Sequence, residues 1–113
     1  LELLHSAVSA GEPLNREVVE QFKNNFNLTV RDGYGQTEST LLIGFLKDTE
    51  PRPGSMGKGI PGSFVTIIDD DGNEVPPQTK GNIAVPLDLP ALFKGYYKDE
   101  ERTKAVIIMS QEI

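Results

Sequence analysis

The sequence predicts an α/β unit followed by a β-rich half. In its first third, a short apolar segment, an amphipathic helical pattern and a second β-prone segment follow one another. That order is typical of strand, helix and strand. The second half carries short β-prone runs separated at close intervals by turn-forming residues. Between residues 47 and 62 the chain contains three prolines and four glycines, so an irregular connection is expected there.

The elements of the α/β unit can be placed in order along the chain. An apolar strand is predicted over 3–8, and the small and turn-forming residues of 9–13 end it. Asn15 is placed to cap a helix over 16–25. A second strand over 28–31 follows. The predicted buried stripe of the helix consists of Val18, Val19, Phe22 and Phe26.

The second half is predicted to contain short strands, a hairpin turn and one helix. The strands are placed over 40–46, 64–68, 83–85 and 92–97. The run DDDGN at 69–73 predicts the hairpin turn, with the return beginning at 74–75. Calcium binding is not favoured, because Lys80 stands where a calcium loop beginning at Asp69 needs its last carboxylate. Asp99 is placed to cap the final helix, over 100–106.

Composition and charge exclude several classes of function. The net charge of −6 and the scattered lysines and arginines argue against a nucleic-acid partner. No apolar run approaches the roughly 20 residues of a membrane span. The chain has no cysteine, which fits the reducing cytoplasm, the expected location. His5 is the only histidine and has no evident partners, which argues against a serine hydrolase.

The segment DGYGQTE at 32–38 is the strongest indication of a ligand site. It places glycines, an aromatic ring, a hydroxyl and a carboxylate in one predicted loop after the second strand. Ligands of open α/β sheets bind at that end of the strands. A turn with Tyr34 on the core and with Thr37 and Glu38 as caps is the alternative, but it leaves the DGYG residues unexplained. The mixture favours a nucleotide with a magnesium-bound phosphate.

Five ordered stretches of the chain resemble the adenylate-forming superfamily of AMP-dependent ligases. They are SAGEPL at 9–14, DGYGQTE at 32–38, GSMG at 54–57, IIDDDGN at 67–73 and FKGYY at 93–97. Within the superfamily, the chain looks most like the acyl-CoA synthetases for acetate and medium-chain fatty acids. The resemblance runs from about residue 3 to residue 104. It implies ligation of a carboxylic acid to coenzyme A through an acyl-adenylate, with ATP, magnesium and coenzyme A taking part.

The resemblance also implies how the chain is organised. Residues 1–46 would be the end of a nucleotide-binding α/β subdomain, with the adenine and α-phosphate loops. Residues 47–113 would form part of a distorted β-barrel subdomain. The superfamily's phosphate loop, hinge and adenylation lysine are not in this sequence. The chain is therefore expected to be an internal fragment that is inactive alone and self-associates through exposed apolar surface.

The resemblance implies a nucleotide-binding set and two catalytic residues. The binding set is Gly11, Glu12, Pro13, Asp32, Gly33, Tyr34, Gly35, Gln36 and Thr37. Residues 11–13 would form one wall of the adenine slot, with Tyr34 stacked on the ring and Asp32 near its exocyclic amine. Thr37 would hydrogen-bond the α-phosphate, and Glu38 would help to hold magnesium. The glycines beside Tyr34 would keep the loop close to the nucleotide.

Two alternative functions stay open. One is an aryl-acid or amino-acid adenylating domain, although many amino-acid-activating relatives have proline where Gln36 stands. The other is a non-catalytic, β-rich interaction module that retains an inherited loop.

Asn82 is a departure from the superfamily pattern, which commonly has glutamate at this position. The expected consequence of that departure is structural. The glycine-rich stretch 54–62 is predicted to be a surface connection, because it lacks the spacing of a phosphate-binding loop.

Overall fold

The computed structural model describes residues 3–107, which form two compact units that meet in sequence between Ser63 and Phe64. The first unit contains a four-stranded sheet and a helix, and the second contains a two-stranded sheet and a short helix. The mixed α/β and β-rich fold class is therefore confirmed. The predicted domain ranges include 1–2 and 108–113, which lie outside the described residues. Their boundary after residue 46 stays a prediction.

A strand–helix–strand arrangement forms the beginning of the first unit. Strand β1 (Ala7–Ser9) and strand β2 (Val30–Gln36) pair in parallel, and helix α1 (Arg16–Phe26) connects them. Ala7 lies opposite Val30, and Ser9 lies opposite Asp32. This register brings the turn that follows β1 beside the middle of β2. The predicted α/β unit is therefore confirmed, and the SAGEPL and DGYGQTE segments lie next to each other.

Helix α1 is defined by local capping chemistry. Asn15 Oδ1 accepts a hydrogen bond from Glu17 N at 2.9 Å, as its predicted capping role requires. At the other end, Asn27 takes a left-handed conformation with φ 51°, and its N–H donates to Lys23 O. The predicted burial of the apolar stripe is wrong, because no residue of α1 is buried. Phe22 and Phe26 contact each other with ring centroids 5.6 Å apart, but Phe26 remains 52% exposed.

The segment predicted as a loop after the second strand is largely strand. Strand β2 continues to Gln36 and pairs antiparallel with β3 (Thr40–Gly44), with a register shift between Tyr34 and Gly35. Only residues 37–39 form the turn between them. The loop prediction was wrong because cross-strand pairing outweighs the weak strand propensity of a glycine-rich segment. The short strand β4 (Lys58–Gly59), within the predicted irregular connection, pairs with β3.

The buried core of the first unit lies on its sheet. It consists of Leu28, Val30, Leu42 and Ile43, each at most 7% exposed. Arg31 is half-buried, and its Nε and Nη2 donate to the carbonyl oxygens of Leu46 and Lys47. These bonds fasten the chain that leaves β3 to strand β2. The sheet therefore restrains the positions of the side chains that extend from β2.

The β2–β3 hairpin requires glycine at position 35. A Cβ there would lie 2.6 Å from the carbonyl carbon of Thr40 and 2.8 Å from Leu41 Cα. We expect Gly35→Ala to lower the free energy of unfolding by about 2–3 kcal/mol, because the backbone must move. Gly44→Ala is the matched control, since its Cβ would have no neighbour closer than 3.5 Å. Urea unfolding of both variants checks this prediction, and equal losses would contradict it.

The second unit is built on a short hairpin. Strands β5 (Thr66–Ile68) and β6 (Asn82–Ala84) pair antiparallel, without closing into a barrel in the described part of this unit. The predicted turn at 69–73 is confirmed, since Asp69 Oδ1 accepts from Asp71 N and Asn73 N at 2.9 Å. At the departure from the superfamily pattern, Asn82 Nδ2 donates to Asp70 Oδ1 at 3.0 Å.

The end of the second unit differs from prediction in one element. The strand predicted over 92–97 was wrong, because residues 93–96 form no regular element, 92 lies in a bend and 97 begins a turn. Gly95 has φ 141°, and Tyr96 N donates to Thr103 Oγ1 at 2.8 Å, which folds the segment onto the last helix. Helix α2 (Glu100–Ala105) has the predicted cap, with Asp99 Oδ1 accepting from Arg102 N. Across residues 3–107, no helix has the length and hydropathy needed to cross a membrane.

Candidate functional site

A cavity of about 500 Å³ lies in the first unit, beside the carboxyl end of strand β1. Seven of the residues predicted to bind nucleotide line it. They are Gly11, Glu12 and Pro13 from the turn after β1, and Asp32, Tyr34, Gly35 and Gln36 from β2. The two segments are about twenty residues apart in the chain, and the parallel pairing of β1 with β2 joins them. Both segments belong to the five stretches on which the resemblance in the sequence rests.

The turn after β1 depends on Gly11. Its φ of 97° is in a region that other residues seldom adopt. An added Cβ would meet no atom within 4 Å, so the glycine is required by backbone conformation rather than by crowding. The turn leaves Glu12 and Pro13 exposed at the cavity wall. A flat ligand could pack against this wall.

Side chains alternate between the two faces of β2 as far as Tyr34, and the register shift between Tyr34 and Gly35 interrupts this alternation, so that both Gly35 and Gln36 also line the cavity. Asp32 and Tyr34 are two residues apart, which places them on the same face of the strand. Gly33 lies on the other face and does not line the cavity. A Cβ added at Gly33 would lie 3.0 Å from Leu41 Cδ1 of strand β3. The structure therefore places Gly33 against strand β3 rather than at the cavity surface.

The polar groups of Asp32 are partly engaged within the protein. Its Oδ1 accepts from Gly33 N at 2.8 Å, and its carbonyl oxygen accepts from Phe45 N at 3.4 Å. A carbonyl oxygen has two lone pairs, so the long bond to Phe45 leaves room for a second donor. This carbonyl can therefore accept a hydrogen bond from a ligand amine.

Thr37 and Glu38 lie in the turn that directly follows Gln36, outside the set of cavity-lining residues. Thr37 is exposed, and Glu38 is half-buried. Within residues 3–107, no group of three or more acidic, histidine or cysteine side chains is arranged to hold a metal. Magnesium in nucleotide sites takes one or two carboxylates and completes its shell with phosphate oxygens and water. The single carboxylate of Glu38 fits that kind of site.

Three further residues line the cavity and were not predicted as site residues. They are Leu14, Gly54 and Met56. The loop that carries Met56 is held by Ser55, whose N–H donates to Arg52 O and whose Oγ accepts from Gly57 N. The sequence indicated only a surface connection here. The available signal was the GSMG stretch, which is part of the superfamily resemblance.

Known proteins of one family resemble this chain over most of its length. The family model described as AMP-binding enzyme matches residues 1–97. The chain is 63% identical over 107 residues to the uncharacterized acyl–CoA ligase YtcI of Bacillus subtilis (strain 168). This match covers 95% of the chain and 20% of that relative.

Solved structures of two such enzymes also resemble this chain over most of its length. An acyl-CoA synthetase of Brucella canis is 40% identical, with a TM-score of 0.76 over 85% of this chain and 18% of that one. The anthranilate CoA ligase AuaEII, solved in complex with anthranoyl-AMP, is 28% identical, with a TM-score of 0.82 over 90% of this chain and 19% of that one. The chain thus spans about a fifth of the length of the proteins that it matches. It belongs to the AMP-binding enzyme family.

Proposed function

We propose that this chain is part of an ATP-dependent acyl-CoA synthetase and binds the AMP half of the acyl-adenylate. The cavity carries this proposal, because the turn after β1 and the exposed face of β2 line it together. Its volume of about 500 Å³ is within the usual range for small-molecule sites. Similarity to acyl–CoA ligases over most of the chain supports the same activity.

In the proposed reaction, a carboxylate oxygen attacks the α-phosphorus of ATP, and the bond to pyrophosphate breaks. The coenzyme A thiol then loses its proton and attacks the acyl carbon, and AMP leaves. Thr37 would donate a hydrogen bond to an α-phosphate oxygen, where negative charge must be stabilised. Glu38 would provide the protein carboxylate for magnesium. A bound magnesium ion would neutralise phosphate charge.

The adenine ring is assigned to the space between residues 11–13 and Tyr34. The backbone of this turn and the Tyr34 ring provide surfaces on which a purine can pack, and the Asp32 carbonyl can accept from its amine. We expect Tyr34→Ala to weaken ATP binding about tenfold through loss of stacking. Tyr34→Phe keeps the ring and should bind as the wild type does. Calorimetric titration of the full-length protein measures both affinities, and equal losses would contradict stacking.

The class of acid is a separate question from the nucleotide site. Gln36 lies at the cavity wall, and we propose that it borders the acyl pocket. Acetate, a medium-chain fatty acid, an aryl acid and an amino acid are the substrates to compare. The resemblance favours the first two. Preference for an aryl acid or an amino acid would instead support the adenylating-domain alternative.

The proposed function is tested by ATP–pyrophosphate exchange in the full-length protein. We expect exchange that depends on a carboxylic acid and on magnesium, and release of AMP with thioester formation when coenzyme A is added. The cytoplasm is the proposed location of this reaction, in keeping with the absence of cysteine. If a folded full-length protein gave no exchange with any of the four acid classes, an inherited, non-catalytic module would be the better account.

We also propose that the isolated 113-residue chain self-associates through the exposed apolar face of α1. Val18, Phe22 and Phe26 are 41%, 37% and 52% exposed on this face. We expect oligomers in sedimentation velocity at micromolar concentration, because contiguous apolar surface favours association. Phe26→Gln should reduce association, whereas Gln21→Ala, a change at another exposed position of α1, should not. A monodisperse monomer at all concentrations would contradict this prediction.

A further inference from the structure

The backbone of Thr40 has an unusual conformation at the end of the turn that carries Thr37 and Glu38. Its φ is 61°, in the left-handed region. β-Branched residues rarely adopt this region. A three-residue hairpin turn followed by one left-handed residue is a common geometry, but glycine normally occupies the left-handed position. Here the chain places threonine there, directly opposite Gln36 in the pairing of β2 with β3.

Contacts on two sides hold the Thr40 peptide in this conformation. Ser39 is only 5% exposed, and its Oγ donates to the Thr40 carbonyl oxygen at 3.2 Å. Gly35 lies against the same carbonyl group, where any Cβ would collide. Ser39 N also donates to Gln36 O at 3.0 Å and closes the turn. Ser39 therefore bonds to both residues that flank the turn on the hairpin.

We propose that Ser39 is a positioning residue for adenylation, an inference that rests on the function proposed above. Its hydroxyl holds the Thr40 peptide in the left-handed conformation, and this fixes the turn that presents Thr37 and Glu38. Strained backbone persists only where its surroundings over-determine it, and it is frequent at sites that must be pre-organised. Misplacement of a reacting group by about 1 Å can cost 10²-fold in rate. Ser39 acts through the turn and does not touch the substrate.

Ser63 provides a matched control within the same unit. It is 4% exposed, its Oγ donates to Ile60 O at 2.7 Å, and its N–H closes a turn onto the same carbonyl at 3.1 Å. The residue after it, Phe64, also has a positive φ of 51°. Ser63 is absent from the cavity lining and from the turn at 37–39. Loss of the Ser39 hydroxyl and loss of the Ser63 hydroxyl should therefore lower stability by similar amounts. Only the loss of the Ser39 hydroxyl should slow the reaction.

The test measures exchange kinetics and thermal unfolding of the full-length protein. Ser39→Ala should lower kcat for acid-dependent exchange by about tenfold, the loss expected for a hydrogen bond of ordinary strength. Its KM for ATP should stay within about twofold, because binding by the adenine wall is unaffected. Ser63→Ala should lower the melting temperature by a comparable amount and keep the wild-type kcat. Equal kcat in wild type, Ser39→Ala and Ser63→Ala would overturn the inference.

A second substitution tests the route of the effect. Thr40→Gly removes the strain, because glycine adopts the left-handed conformation freely. The double variant Ser39→Ala/Thr40→Gly should therefore recover most of the kcat lost in Ser39→Ala. If the two single effects simply multiply in the double variant, Ser39 does not act through Thr40, and the inference is overturned. Absence of exchange in the wild-type protein would instead overturn the proposed function on which the inference rests.

Discussion

Glu38→Gln in the full-length protein is expected to lower kcat for ATP–pyrophosphate exchange by about 10²–10³-fold, the loss typical of a group that stabilises developing charge. Glutamine keeps the shape and hydrogen-bonding reach of the side chain but lacks the charge. The remaining activity should require more magnesium, because the proposed protein ligand to the metal is weakened. The melting temperature should change little, because glutamine keeps the size and the hydrogen-bonding atoms of the side chain and position 38 lies outside the buried core.

Glu50→Gln is the matched control for this variant. Glu50 is an exposed glutamate of the same unit and does not line the cavity. Its replacement removes one negative charge without touching the turn at 37–39, so exchange should continue at the wild-type rate. Exchange is best measured over a magnesium titration that extends below saturation. Near-normal exchange by Glu38→Gln at limiting magnesium would contradict the role assigned to Glu38.

Thr37→Val is expected to lower kcat for exchange by about 10²-fold, because the hydroxyl that meets the α-phosphate is replaced by a methyl group of similar size. Thr37 is exposed in the turn, so the valine should not disturb the core. KM for ATP should change much less than kcat if the hydrogen bond strengthens as charge develops on the phosphate.

Thr37→Ser is the rescue variant, since it keeps the hydroxyl and loses only the methyl group. Its kcat should lie within about threefold of wild type, a loss attributable to the freer side-chain rotamer. Pre-steady-state formation of the acyl-adenylate, measured by rapid quench, separates the chemical step from product release. An effect of equal size in Thr37→Val and Thr37→Ser would show that the hydroxyl is not the group that acts.

Features that depend on local chemistry could be predicted from the sequence. Asn15 and Asp99 both cap helices as expected, because a side-chain oxygen before a helix can satisfy a free N–H without help from distant residues. The turn at 69–73 formed for a similar reason, since Asp69 accepts from backbone groups within its own turn. The strand–helix–strand order followed from the apolar patterns along the chain, and the structure adds that the two strands pair in parallel.

Features that depend on distant pairing could not be predicted in the same way. Strand β2 extends to Gln36 because β3 pairs with it, although its glycines weaken strand propensity. Met56 lines the cavity because its loop folds back onto the sheet, which neighbouring residues in the chain do not reveal. The apolar pattern of α1 identified a face of the helix but not its partner, so burial could not be inferred from the pattern.

The sequence prediction and the cavity lining overlap in part. Seven of the nine residues predicted to bind nucleotide line the cavity, whereas Gly33 and Thr37 do not, and Leu14, Gly54 and Met56 line it without having been predicted. The turn after β1 and the DGYGQTE segment were both identified as ligand-binding, and the structure brings residues 11–13 of the first together with Asp32, Tyr34, Gly35 and Gln36 of the second. Gly33 and Gly35 were expected to bring the loop close to a nucleotide. The structure shows a further reason for them, since both approach β3 too closely for a larger residue without a local shift. One glycine-rich segment thus serves hairpin packing and cavity shape together.

A crystal structure of the full-length protein with a non-hydrolysable acyl-adenylate analogue would locate the bound nucleotide. We predict that the adenine ring lies between residues 11–13 and Tyr34, with its amine at the Asp32 carbonyl. The phosphate-mimicking group should lie within hydrogen-bonding distance of Thr37. Adenine bound elsewhere in the protein, with this cavity empty at saturating analogue, would contradict the assignment of this cavity to AMP.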